Sequence, residues 1–443
     1  MKNFREFRKS IKNKKVVIWG LGLNQGGLGA ALFFLKAGAR VLIVDPKSAG
    51  ELKSSVQVLR RFSNVKFALG NQDEKNFEKA DLVIKNQAIP WDHPLVKKLL
   101  KKSMAVERDI TLFFKFFKGK VVGITGSKGK TTTTTLIGQI LKKAGYKVIV
   151  GGNIQVSLFD FFTSQVLDDK KIIAVLELSS FQLEDLERIG KSPQVAVVTN
   201  LLRDHLNRYG SYLKYAAAKK NIFRFQKKGD YLILNGEDKR VKEFGKSARG
   251  KKVLYSYSLS DNPVLQGKNN QSNLAAALVV ARIFKVKDSV VKNVTKNFKG
   301  VPYRMEKIAV IKNITFYNDT AATIPDAAIN NLKSFSKKAV LISGGADKNL
   351  KFTRFAKVIN KKVKTIILLP GTATPLLEKE LKKHAPQVPR QEANSMDKAV
   401  KLAYKAASAG NAVLLSPGCA SFGLFKNEFD RGDQFNQAVK KLK

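Results

Sequence analysis

Apolar and polar positions along this chain follow two alternating rhythms. Short, nearly continuous apolar runs rich in Val, Ile and Leu occupy 16–19, 41–44, 82–85, 121–125, 147–150, 172–177, 195–200, 231–234 and 253–255. They continue at 308–311, 315–318, 340–343, 365–369 and 412–416. Runs of this length, apolar on both faces, suit strands of a parallel sheet covered by helices on each side. Between them, apolar residues recur at helical spacing over 29–37, 130–144, 211–225, 273–284, 325–332, 373–383, 396–407 and 424–442. Strand and helix in alternation predict an α/β protein built from βαβ units.

The rhythm breaks twice. One break lies near 95–118, before the strand that feeds a Gly-rich loop. The other lies near 298–302, where NFKGVP interrupts a helical pattern with Gly and Pro. The breaks predict three α/β domains, 1–112, 113–299 and 300–443. The length of 443 residues fits three domains of about 150 each. No solenoid-type repeat and no low-complexity linker interrupts them.

Two loops carry candidate chemistry. After the strand at 16–19 comes Gly20-Leu-Gly22-Leu-Asn-Gln-Gly26-Gly27-Leu-Gly29, then a helix, then a strand ending at Asp45. This is the layout of a Rossmann dinucleotide loop, in which early glycines let the backbone approach a pyrophosphate and a later acid meets a ribose. Gln25 and the late third glycine depart from the NAD fingerprint. An NAD site, another nucleotide-diphosphate site and a plain tight turn all remain open here.

The second loop is more specific. The strand at 121–125 runs into Gly126-Ser127-Lys128-Gly129-Lys130-Thr131-Thr132, and a helix opens at once. Ile124 stands where the longer phosphate-loop pattern has its first Gly, so this is the short form, TGxxGKT. Backbone N–H groups and a helix N-terminus cradle phosphates in such a loop. Lys130 is placed to reach the terminal phosphates and Thr131 to ligate Mg²⁺, so ATP binding is expected. A metal carboxylate is then needed nearby. Glu177 ends an apolar strand, at the ligand edge of a parallel sheet. His205 follows the next strand in the same way, as a metal or substrate contact. Lys219, on an otherwise apolar helix, reads from spacing alone as a solvated charge.

Composition narrows the classes. An apolar share of 44% excludes a wholly disordered chain. No apolar stretch approaches the roughly 18 residues of a membrane span. The basic N-terminal stretch lacks the apolar region of a signal peptide. The single cysteine, Cys419, rules out a disulfide framework within the chain and points to the cytoplasm. The net charge of +46 suits anionic partners, but the lysines are spread without a long basic block. A general lysine habit of the source and a functional basic surface both fit. A basic nucleic-acid-binding ATPase is the rival class, although no motif interleaves basic and aromatic residues. Nucleic-acid binding is expected only as non-specific adhesion through the net charge.

TGSKGKTTT, LELSSFQL and NLLRDHLNRYGSYLKYAAAK, in that order, resemble the Mur ligases. PYRMEKI, FYNDTAAT, ISGGADK and LLSPGCASFGLFKNEFDRGDQF are similar to one branch, which joins D-glutamate to UDP-N-acetylmuramoyl-L-alanine with ATP. The resemblance spans roughly residues 15–440. Its phosphate loop is shared with folylpolyglutamate synthetases, the nearest rival within the class. It implies a Rossmann-like N-terminal domain for UDP, a central ATPase domain with a mostly parallel sheet, and a Rossmann-like C-terminal domain that binds D-glutamate and closes over ATP.

The resemblance also implies roles. Gly22, Leu23, Asn24, Asp45 and Asn153 would bind the UDP substrate, without NAD. Lys130 and Thr131 would hold ATP and Mg²⁺, with Glu177, His205 and a carbamylated Lys219 completing a site for two ions. Asn270, Asn273, Arg304 and Asp319 would contact the nucleotide, and Thr323, Lys348, Ser421 and Phe425 the D-glutamate. A cytoplasmic monomer is expected.

The chain departs from the family at Ala321, where a lysine is usual, at Asn269 for a histidine, at Gln155 for a glycine and at Asn207 for an aspartate. Asn86-Gln87-Ala88 replaces Ser-Pro-Gly. These changes spare the ATP and metal residues and touch the amino-acid and uridine contacts.

Overall fold

The computed structural model describes residues 3–21, 26–153, 157–202, 206–265, 268–347, 350–421 and 424–442. The apolar runs become strands of three sheets. The first contains β1 (Lys15–Trp19), β2 (Arg40–Asp45), β3 (Val65–Leu69), β4 (Leu82–Lys85) and β5 (Val106–Glu107). Its order is β3-β2-β1-β4-β5 with every pair parallel. The chain reverses its winding between β1 and β4, the switch point at which such sheets open a crevice.

The second sheet contains β6 (Lys120–Thr125), β7 (Val148–Gly152), β8 (Ile173–Glu177), β9 (Val195–Val198), β10 (Tyr231–Asn235) and β11 (Lys251–Tyr255). It is also fully parallel, in the order β11-β10-β9-β6-β8-β7. The strand that feeds the phosphate loop, β6, therefore lies between β8 and β9, whose ends carry Glu177 and the Thr199–Asn200 pair.

The third sheet contains β12 (Glu306–Ile311), β13 (Ile314–Asn318), β14 (Ala339–Gly344), β15 (Val363–Leu369), β16 (Arg390–Glu392) and β17 (Ala412–Leu415). Its order is β12-β13-β17-β14-β15-β16, and only β12 runs antiparallel. Both faces are covered. Leu341, Leu414 and Ile366 meet Phe355 and Leu377 on one side, and Val340, Ile342 and Val413 meet Val400 and Phe435 on the other.

The chain forms two compact units, Met1–Phe298 and Lys299–Lys443. The first holds two sheets over one continuous core. The helix Asp109–Phe116 buries Phe113 and Phe116, and the neighbouring Phe114 and Phe117 are partly buried against the same core. Phe116 meets Phe4 at 6.0 Å and Phe7 at 4.9 Å between ring centroids, and Phe4 meets Phe162 at 5.9 Å.

Several elements were not expected. The strand β3, VKFAL, is interrupted by Lys66 and only partly buried, β5 is two residues long, and β16 is polar and charged. The helix Ser180–Arg188 starts on a capping box in which Ser179 and Gln182 bond each other's backbone. The helix at 273–284 begins earlier, at Lys268, and that at 424–442 begins later, at Glu428. Among the described residues, no helix is long and apolar enough to cross a membrane.

Candidate active site

The turn between β6 and the helix Lys130–Lys143 is set by two glycines. Gly126 has φ +149°, and a Cβ there would lie 1.9 Å from Thr199 Oγ1. Gly129 is left-handed at φ +82°, and a Cβ there would lie 2.1 Å from Asn273 Oδ1. Only glycine allows both the conformation and the approach. The loop is clamped from the end of β9. Thr199 Oγ1 donates to the Lys128 carbonyl at 2.6 Å, Lys128 N donates to Asn200 Oδ1 at 2.8 Å, and Ser127 N donates to Asn200 O at 3.0 Å. Lys130 Nζ folds back to the carbonyls of Gly126 at 3.1 Å and Ser127 at 3.2 Å. A loop of this shape presents a helix N-terminus and an ammonium to a bound phosphate. Thr132, the next residue, lies in the first turn of that helix.

Glu177, at the end of β8, is buried. It accepts from Thr131 Oγ1 at 2.7 Å and from Asn153 Nδ2 at 3.2 Å. A carboxylate and a hydroxyl converging beside a phosphate loop are hard oxygen donors, the chemistry that suits Mg²⁺. Among the described residues, no group of three His, Cys, Asp or Glu side chains could hold a metal by itself. His205 lies outside the described residues.

Lys219 is not the solvated charge that spacing suggests; it is only 2% exposed. On the helix Tyr212–Arg224 it shares a buried stripe with Tyr215, Ala218 and Ile222, which helical spacing turns toward the sheet. Its Nζ donates to Gly126 O at 3.0 Å and to Thr125 Oγ1 at 3.4 Å, and lies 4.8 Å from the Tyr215 ring. Tyr215 Oη in turn bonds Ser127 Oγ at 3.0 Å.

One cavity of about 130 Å³ is lined by Gln87, Gly126, Lys130, Asn153, Ser180, Tyr215 and Lys219, among others. Sequence reasoning gave no role to Ser180 or Tyr215, although both sit inside quoted motifs. A wider groove of about 460 Å³ at Gln72, His93 and Lys98 shares no residue with the phosphate loop. On the far side of that loop, Asn273 accepts from Thr133 Oγ1 at 3.3 Å and donates to Asn270 Oδ1 at 3.3 Å. Asn270 donates onward to Val264 O at 2.9 Å.

At the first sheet, Asp45 is buried and accepts from Leu21 N at 2.8 Å and Lys47 N at 2.9 Å, so it holds the backbone that leaves β1. Gly22, Leu23 and Asn24 lie outside the described residues.

The second unit gathers another set. Asp319, at the end of β13, accepts from Ser416 Oγ at 2.7 Å and Asn331 Nδ2 at 2.5 Å, and burial pushes its carboxyl up to about 6. Ala322 O accepts from Gly418 N at 2.9 Å, which sets the Thr323 segment beside the Ser421 segment. Ser421 is buried, and its hydroxyl has no partner among the described residues. Phe425 belongs to the apolar core, whereas Arg304 is exposed. Lys348 lies outside the described residues. Arg431, fully buried, fastens the two segments: its guanidinium donates to Thr320 Oγ1 at 2.9 Å, Thr320 O at 3.0 Å and Cys419 O at 3.3 Å. Its place in the quoted RGD stretch was the only signal for it.

Comparison with known proteins agrees with this chemistry. Residues 124–295 match the Mur ligase middle domain, and residues 303–419 match the Mur ligase glutamate ligase domain. The UDP-N-acetylmuramoylalanine–D-glutamate ligase of Borreliella afzelii is 38% identical over 98% of this chain and 99% of that protein. Its counterpart in Roseiflexus sp. is 33% identical over 97% of this chain and 99% of that protein. The fold matches the crystal structure of the UDP-N-acetylmuramate–alanine ligase of Thermotoga maritima with a TM-score of 0.62 at 18% identity, covering 97% of this chain and 100% of that one. The chain thus belongs to the Mur ligase family, on the branch of the UDP-N-acetylmuramoylalanine–D-glutamate ligases.

Proposed function

We propose that this protein is an ATP-dependent amide ligase of peptidoglycan precursor synthesis that adds D-glutamate to UDP-N-acetylmuramoyl-L-alanine. The observation that carries the reading is the cavity in which the phosphate loop, Lys130 and Lys219 face Asn153 and Gln87. A phosphate held by the loop and a carboxylate held on the Asn153 side share that space. The alanyl carboxylate takes the γ-phosphoryl group and ADP leaves. The D-glutamate amine then attacks the acyl carbon, phosphate departs, and the amine loses its proton. The first step needs mainly positioning and charge neutralisation, which Lys130 and the loop N–H groups supply.

Thr131 and Glu177, with His205 and a carbamylated Lys219, would hold Mg²⁺ as a pair of ions. When bound, Mg²⁺ neutralises charge developing on the transferring phosphoryl group. The hydroxyl–carboxylate pair supports this assignment. The segment 1–112, through Gly22, Leu23, Asn24 and Asp45, takes the uridine nucleotide, and 113–299 takes ATP, with Asn270 and Asn273 beside the loop. The segment 300–443 supplies Arg304 and Asp319 for the nucleotide, and Thr323, Lys348, Ser421 and Phe425 for D-glutamate. A cytoplasmic monomer is the form this reading takes.

The test is phosphate release from ATP with Mg²⁺ and the uridine nucleotide, with and without D-glutamate, beside L-glutamate and RNA arms. Release that requires both the uridine nucleotide and D-glutamate is expected. Release with another amino acid would move the acceptor specificity to the region of Ala321. Turnover driven by RNA alone would refute the ligase.

A further inference from the structure

An ion pair lies buried at the seam between the two sheets of the first unit. Arg108, just after β5, meets Asp185 on the helix Ser180–Arg188, and both are almost wholly buried. The Trp91 indole N–H also donates to Asp185 at 2.6 Å. Trp91 is itself sandwiched between Lys85 Nζ at 4.1 Å and the Arg188 guanidinium at 4.0 Å from its ring centroid. Such a cluster has no freedom to drift, because each charge would be stranded without its partner.

From this fixed point a line of side chains runs into the cavity. Arg108 Nη2 donates to Gln87 Oε1 at 3.4 Å, Gln87 Nε2 to Asn153 Oδ1 at 3.5 Å, and Asn153 Nδ2 to Glu177 Oε1 at 3.2 Å. The other carboxylate oxygen accepts from Thr131 at 2.7 Å. The polarity of the line is not arbitrary. A guanidinium can only donate and a carboxylate can only accept, so both amides must turn their oxygens toward Arg108 and their nitrogens toward Glu177. Gln87 is the one link with a long contact on each side, and it lines the cavity. It is therefore the link that cavity contents can tighten.

We infer that Gln87 is a positioning residue: it transmits the fixed frame of Arg108 and Asp185 through Asn153 to the Glu177 carboxylate, and so sets the aim of that carboxylate at the phosphate loop. The inference rests on the reading of Glu177 as a metal carboxylate. A proline in the place of Gln87, as the family resemblance implies, could make neither bond.

The test is binding of Mn²⁺, in place of Mg²⁺, to the intact protein with a non-hydrolysable ATP analogue, followed by loss of the free-ion EPR signal. Gln87→Met keeps the length of the side chain and removes both amide groups. It is expected to weaken Mn²⁺ binding about 3- to 10-fold, somewhat below the usual effect of losing a direct ligand support. Asn153→Ala should weaken binding at least as much, and Gln87→Met added to it should change nothing further. An equal Gln87→Met effect with and without Asn153, or no effect, overturns the relay. Arg108→Lys keeps a cation beside Asp185 but removes the arm that reaches Gln87, so it should mirror Gln87→Met. Unchanged affinity there also overturns the relay. Glu177→Gln should abolish the site. If it binds Mn²⁺ like the wild type, the metal reading of Glu177 fails independently of Gln87.

Discussion

Replacing Arg108 by methionine removes a buried cation and leaves Asp185 behind it. Breaking one side of a buried pair costs about 3–5 kcal/mol, because the remaining charge has no solvent. Here the remaining charge can be discharged. Asp185 already stands at about 6, raised by burial against the pull of Arg108, Lys85 and the Trp91 N–H. Loss of Arg108 pushes it further up. A raised acid contributes most to stability below its unfolded value of about 3.9, and that contribution is lost as the pH rises through the folded value. At pH 5.5 the variant carries a neutral Asp185, and the cost is confined to lost hydrogen bonds, about 1 kcal/mol each. At pH 8 the variant must bury a carboxylate or take up a proton against the solvent. Each unit of further rise is worth about 1.4 kcal/mol, so a rise of about two units makes the substitution roughly 2 kcal/mol more costly at pH 8 than at pH 5.5.

The other charges near the cluster, Lys85, Asp109, Glu184, Arg188 and Arg208, are common to wild type and variant. Urea unfolding followed by tryptophan fluorescence reads this region, because Trp91 bonds Asp185 and packs against the core cluster that holds Trp19, the other tryptophan of the chain. Arg108→Met combined with Asp185→Leu should recover most of the loss, since an apolar pair of similar volume avoids the buried charge. Equal costs at the two pH values, or a double variant as unstable as the single one, would refute the reasoning.

Three further outcomes are expected. Lys130→Ala should lower ligand-dependent phosphate release by about 10²-fold or more, the usual scale for one charge-stabilising donor, with little change in melting temperature. Gly129→Ala should weaken ADP binding at least tenfold by calorimetry, because its Cβ meets Asn273 at 2.1 Å. Gly145→Ala, at φ +88° with nothing within 4 Å, should bear only backbone strain and bind ADP normally. Cys419 is buried, and burial pushes its thiol up to about 12, so it stays protonated at neutral pH. Maleimide labelling at pH 7.5 should then proceed only as fast as the second unit opens, and complete labelling of the native protein within minutes would contradict this.

What could be read from the chain and what could not follows the range of the interactions involved. The phosphate loop was legible because its strand, turn and helix chemistry falls within consecutive residues from Gly126 to Thr132. Glu177 was legible because an apolar strand ending in a carboxylate points to a sheet edge. The burial of Lys219 was not, since it depends on which face of its helix meets the sheet. The capping box ahead of Ser180–Arg188 is written locally in SSFQ, and reading it would have found that helix. The Arg108–Asp185 pair joins positions 77 apart, and no local pattern announces it. Arg431 likewise owes its meaning to two carbonyls on segments that only the folded sheet brings together.

The aromatic seam of the first unit determines where this chain can be divided. Severing it after the first sheet would leave Phe4 and Phe7 on one fragment and Phe113, Phe116, Phe159 and Phe162 on the other, each facing water across a patch built to be dry. Such halves would be expected to aggregate or to find each other again. Phe298 is the last residue of the first compact unit, so a two-piece expression or a fusion inserted after it is the arrangement under which each part keeps its own interior.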